Sequence, residues 1–242
     1  TENSNAWIFI SHASSDLKAV RKVRNYLEDK GAAPLLFHLK ALEAPEEFWP
    51  IIQREIEARN FFLYCDSPAA KASPWVQREK AAVERLRNHK PIRVERINVS
   101  SGDMDIDTLD ALVRKTQVFV HQNVPFRHMI EPYEAYMRKA GFRVADISPK
   151  RFLTDDRFSS GVSVDELLKK RFIVYFCYNG MDSQRSWLDD QISLQSKLDQ
   201  TVFVFMDEPP FDHPGLSARR VVRAWEDPNR APNRLIQVMM SN

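Results

Sequence analysis

The chain has 242 residues, enough for two domains of ordinary size, and its 35 Lys and Arg stand against 33 Asp and Glu. The balance is even along its length, with 17 of each sign up to Arg114 and 18 basic against 16 acidic beyond it. This excludes the basic footprint of a nucleic-acid binder. The lack of any run of about 18 apolar residues excludes a membrane-spanning helix, and the start does not read as a secretory signal.

Trp7 to Ile10 is a short apolar run that predicts a strand. Ala19 to Lys30 follows with Val20, Val23 and Leu27 at helical spacing, stopped by Gly31. Pro34 to Phe37 predicts a second strand, and Glu46 to Arg59 a helix whose apolar stripe is Phe48, Ile51, Ile52 and Ile56. Asn60 to Cys65 reads as a buried strand, Pro74 to Arg87 as a helix with proline in its first turn, and Ile92 to Val94 as a shorter strand. Ser100 to Asp107 is polar and predicts a loop. Thr108 to Arg114 then predicts a helix that closes a first domain, residues 1–114.

Residues 115–242 repeat the arrangement. Trp7-Ile-Phe-Ile10 matches Gln117-Val-Phe-Val120 at an offset of 110, as Tyr26 to Gly31 matches Tyr136 to Gly141. At an offset of 112, Cys65 falls on Cys177 and Trp75 on Trp187. The two cysteines thus read as equivalent positions, and the two extra residues are expected in the loop from Ser148 to Gly161. Arg220 to Trp225 predicts a last strand and Asn233 to Met240 a closing helix. Alternating strands and helices imply parallel strands with right-handed crossovers. The predicted fold is therefore α/β: two domains, each a parallel sheet of four or five strands flanked by helices.

Candidate chemistry is narrowed largely by what the sequence lacks. The histidines form no CxxC-like or HExxH-like ligand spacing with other residues, so no metal is expected. The two cysteines read as reduced thiols of a cytoplasmic protein. There is no GxGxxG, no Walker A loop and no GxSxG elbow. Ser11 and His12 are adjacent on a strand and point to opposite faces, which argues against a nucleophile–base pair.

Ligands of open parallel sheets bind beyond the carboxyl ends of the strands. That edge gathers Ser11, the segment from His38 to Glu47, Asp66, Ser67, and the helix carrying Trp75 and Glu79, four apart on one face. A glutamate in a Gln-Arg-Glu-Lys run ordinarily faces solvent, and a tryptophan ordinarily packs. The repeat keeps the tryptophan but replaces Glu79 with Gln191.

The ordered set Trp7-Ile-Phe-Ile-Ser-His12, Leu42-Glu-Ala-Pro-Glu-Glu-Phe48, Phe61-Phe-Leu-Tyr-Cys-Asp-Ser67 and Ser73-Pro-Trp-Val-Gln-Arg-Glu79 resembles the Toll/interleukin-1 receptor (TIR) domain family over roughly residues 6–98. The second copy resembles a diverged TIR domain. The resemblance implies two flavodoxin-like domains, with Glu79 as the catalytic residue of NAD+ cleavage and Gln191 as its lost counterpart. It also implies that Ser11, Ser67, Trp75 and the BB loop, with His38, Leu39, Lys40 and Glu43, hold NAD+ as substrate, with no further cofactor. The BB loop here lacks the family's frequent glycine, and His38 stands where an acidic residue is common.

The implied role is nicotinamide release in defence or immune signalling, by hydrolysis or cyclisation. TIR–TIR contacts are the implied partners, including contacts between the two copies, with no nucleic acid and no membrane. The alternatives are an adaptor or scaffold acting by TIR–TIR assembly, and a nucleotide sensor.

Overall fold

The computed structural model describes residues 6–37, 45–100, 103–122, 127–146, 172–178, 201–208 and 221–241. The chain divides into two compact units, Thr1–Thr116 with Ala140–Phe142, and Gln117–Lys139 with Arg143–Asn242.

In the first unit β1 (Ala6–Ser11), β2 (Ala32–Leu36), β3 (Phe61–Asp66) and β4 (Arg93–Asn98) form a parallel sheet in the order β2-β1-β3-β4. This is the flavodoxin-like order, with the two central strands apolar because both of their faces are covered. Side chains alternate between faces, and β1 pairs with β3 through Phe9↔Phe62 and Ser11↔Tyr64. Phe9, Ser11, Phe62 and Tyr64 therefore share one face, while Ile8, Ile10 and Leu63 share the other.

The Phe9 face is covered by α2 (Pro45–Ala58) and α4 (Pro74–Arg87). Trp49, Ile52 and Ile56 of α2 and Val76, Ala82 and Val83 of α4 pack with Phe9, Phe62 and Tyr64 into one core. Phe9 and Phe62 stack with ring centroids 5.3 Å apart. The opposite face is covered by α1 (Leu17–Asp29), through buried Val20, Val23 and Leu27, and by α5 (Ile106–Lys115), through Leu109, Leu112 and Val113. The Tyr26 hydroxyl on α1 donates to Asp110 Oδ1 on α5 at 2.7 Å. A short α3 (Pro68–Ala72) links β3 to α4.

The expected stop after α1 is present: Gly31 takes a φ of 80°, and its N–H donates to the Glu28 carbonyl at 2.9 Å. Gly31→Ala is expected to lower the unfolding free energy by about 1 kcal/mol, since a Cβ disfavours left-handed backbone. Urea unfolding with an unchanged m-value checks this.

In the second unit β5 (Gln117–Gln122), β6 (Arg143–Asp146), β7 (Phe172–Cys177), β8 (Thr201–Phe205) and β9 (Val221–Arg223) run parallel in the order β6-β5-β7-β8-β9. Its helices α6 (Glu131–Lys139) and α7 (Ala231–Ser241) pack together. Aromatic pairs lie on both faces of this sheet: Tyr133 meets Phe176 edge-on at 5.1 Å, and Tyr175 stacks on Phe203 at 5.4 Å. The four- and five-stranded sheets are those the alternating pattern predicts, and both follow one strand order.

Three sequence expectations shift. The strand expected at Ile92 to Val94 runs from Arg93 to Asn98, and the helix expected from Thr108 begins at Ile106, capped by Asp105, whose Oδ1 accepts from the Thr108 N–H at 3.0 Å. The third concerns the cysteines. β1 meets β3 as Ile8↔Phe61, and β5 meets β7 as Val118↔Phe172. With β1 on β5 at the offset of 110, β3 falls on β7 at an offset of 111, which aligns Tyr64 with Tyr175 and Cys65 with Phe176. The cysteines are not equivalent, because one residue of register exchanges the faces. Both are buried free thiols. Trp187, Gln191 and the expected insertion at Ser148 to Gly161 lie outside the described residues.

Candidate active site

Residue type fixes where α4 begins. Ser73 is its N-cap, accepting from the Val76 N–H at 3.4 Å, and Pro74 follows in the first turn, where its missing N–H costs nothing. From that start the helix presents Val76, Glu79, Ala82 and Val83 as its buried residues. Glu79 therefore faces the sheet within the α4 stripe, although its sequence neighbours are Arg78 and Lys80.

Glu79 is 7 % exposed and Ser11, at the end of β1, is 0 % exposed. The Ser11 hydroxyl donates to Glu79 Oε2 at 2.5 Å, across 68 residues of sequence. Burial raises the Glu79 carboxyl from the usual 4.5 to about 7, with the Ser11 hydrogen bond pulling the other way. A carboxyl in this state exchanges its proton near neutral pH, as acid–base and charge-stabilising groups do.

One turn toward the amino end of α4, Trp75 is half-buried and packs on Trp49 of α2, with centroids 6.1 Å apart and planes tilted by 45°. The Arg78 guanidinium lies 4.1 Å from the Trp49 ring centroid and 5.5 Å from that of Trp75. Trp75 is thus a packing residue and also part of a cationic aromatic surface beside Glu79. Neither Trp49 nor Arg78 stands out in the sequence, since their partnership depends on α2 and α4 packing side by side.

Ser67 goes elsewhere. Its hydroxyl donates to Asp16 Oδ2 at 2.5 Å and accepts from the Ala70 N–H at 2.8 Å, which makes it the N-cap of α3. Ser67→Ala is expected to cost about 1–2 kcal/mol, through loss of the cap and of one charge-assisted bond. The shift in urea midpoint measures it. His38, Leu39, Lys40 and Glu43 lie outside the described residues. The structure thus brings Ser11, Trp75 and Glu79 to one end of the sheet on the α2–α4 face, and Ser67 to the turn before α3. Among the described residues no group of three or more His, Cys, Asp or Glu could hold a metal ion, and no helix is long and apolar enough to cross a membrane.

Residues 8–117 match the family described as TIR domain. The first unit is a TIR domain. The match stops at residue 117, so only the strand order of its sheet links the second unit to the TIR fold. No curated protein matches the chain. Among solved structures, similarity is found to a protein from Salmonella typhimurium LT2 that is named, provisionally, as sugar binding. That likeness has 10 % identity and a TM-score of 0.30, over 99 % of this chain and 88 % of that one, and at this level it carries no argument.

Proposed function

We propose that the TIR domain cleaves the bond between nicotinamide and ribose in NAD+, with Glu79 as the catalytic residue. One observation carries this reading: Glu79 is a buried carboxyl held by Ser11 at the carboxyl edge of the sheet, in a helix whose charged sequence would ordinarily turn it to solvent. The family includes NAD-cleaving enzymes and also non-enzymatic adaptors, so the residue, more than the fold, supports the activity.

The reaction needs little from the protein at the leaving group. The electron pair of the breaking C1′–N bond neutralises the nicotinamide ring, which departs without a proton. Positive charge then builds on the ribose, as in glycoside hydrolysis. Ionised Glu79, shielded from water, stabilises that charge more strongly than it would in solvent. Water adding at C1′ and losing a proton gives ADP-ribose, and a nitrogen of the adenine adding there gives a cyclic product. A Gln at this position accepts hydrogen bonds but supplies no charge.

The test is nicotinamide release by the full chain at high concentration, because TIR domains self-associate, with Glu79→Gln beside the wild type. The expected result is release by the wild type alone, with the products resolved by mass. Equal release by both proteins would remove Glu79 from the reaction.

The second reading is an adaptor that works through TIR–TIR assembly. It is favoured by two features of the sequence, the absence of the family's frequent glycine from the BB loop and the replacement of Glu79 by Gln191 in the repeat. Release by neither protein, with no NAD+ binding in calorimetry, is its expected signature; binding without release would mark a nucleotide sensor.

A further inference from the structure

The TIR domain has a cleft of about 480 Å³ on the α1–α5 side, at the carboxyl end of its sheet. Its walls are the first turns of α1, the turn that follows β3, and the chain that follows β4. The volume falls within the range of small-molecule sites, about 300–1,000 Å³. Its position is the one that open α/β sheets use. With strands ordered β2-β1-β3-β4, the topological switch point lies between β1 and β3, and the cleft opens where the chain leaves those two strands. Glu79 lies beneath α4, on the opposite face, so this is a separate place in the fold.

The lining states a chemistry. Val23, Ile97, Val99 and Met104 give apolar walls. Lys18 and Lys22, one turn apart and exposed on α1, set two ammonium groups along one rim. The lining also holds two carboxylates, Asp16, which accepts from the Ser67 hydroxyl and keeps its charge, and Asp103 on the wall after β4, so the lining is neutral as a whole and its two ammonium groups stand together along the α1 rim. The cleft therefore offers cations on one side and apolar surface within.

We propose that this cleft is a second small-molecule site, for a ligand that joins a phosphate to a flat apolar body. The phosphate meets Lys18 and Lys22, and the apolar body lies against Val99 and Met104, above the buried Val23 and Ile97. The proposal does not depend on NAD+ cleavage.

The experiment is an amide chemical-shift titration of the full chain with phenyl phosphate, and separately with inorganic phosphate. Phenyl phosphate shares no adenosine with NAD+, so it does not report on the Glu79 site by mimicry. The expected result is saturable shifts at Ser15, Lys18 and Asn98, with phenyl phosphate at least about tenfold tighter than phosphate, since burying the ring adds favourable apolar contact. The double substitution Lys18→Glu with Lys22→Glu is expected to weaken binding at least about tenfold at an unchanged melting temperature, and Glu79→Gln to bind as the wild type does. Shifts centred on Trp49 and Trp75, equal affinity for the two probes, wild-type binding by the lysine variant, or no saturation at all would each overturn the proposal.

Discussion

Glu79→Gln is expected to make the protein more stable at pH 8 while removing nicotinamide release. The carboxyl titrates near 4.5 when exposed and at about 7 in the fold. Below pH 4.5 both states hold the proton and the group contributes nothing. As pH rises from 4.5 to 7, the unfolded chain ionises while the native state stays protonated, so stability falls. Above 7 the loss is complete, and a shift of this size corresponds to about 3 kcal/mol. Gln keeps an acceptor for the Ser11 hydroxyl and carries no charge to desolvate. Denaturant unfolding at pH 8 and pH 5 checks this: a gain at pH 8 that fades at pH 5 is expected, and a variant less stable at both would contradict the burial of an ionising carboxyl.

The same titration governs activity with the opposite sign. In the proposed reaction the ionised form stabilises charge on the ribose, so nicotinamide release is expected to climb from pH 6 to pH 8 with a midpoint near 7. Ser11→Ala is the second large effect. It removes the hydroxyl that donates to Glu79 Oε2 and that favours the ionised form. The midpoint is expected to move upward, with release at pH 7 reduced more than release at pH 8.5. Stability at pH 8 is expected to fall by about 1–3 kcal/mol, because the buried carboxylate loses its partner. A Ser11→Ala profile that keeps its midpoint while losing overall rate would show that Ser11 does not set the state of Glu79. Carbon chemical shifts of the Glu79 carboxyl read the midpoint without any substrate.

The sequence made some of this legible and hid the rest. The span Pro74 to Arg87 is read correctly because Ser73 and Pro74 are local punctuation for a helix start. β4 is read too short because Glu95 and Arg96 stand side by side after Val94 and interrupt the apolar alternation before Ile97. The burial of Glu79 cannot be read at all from Gln-Arg-Glu-Lys. It follows from a partner 68 residues away and from the packing of α4 on the sheet. Cys65 and Cys177 mislead for a related reason. Two identical residues suggest one register, but the backbone pairing that sets the register involves every residue of the strand, and it selects Tyr64 with Tyr175.

The cap of α4 also governs how the turn before it can vary. A helix turns about 100° per residue, so one residue added between Pro74 and Glu79 would carry the carboxyl away from Ser11. One residue added before Ser73 would travel with the cap and leave the angular phase of Glu79 unchanged. The Ser73–Pro74 pair therefore acts as an index mark: length variation upstream of it is absorbed as translation, and downstream of it as rotation.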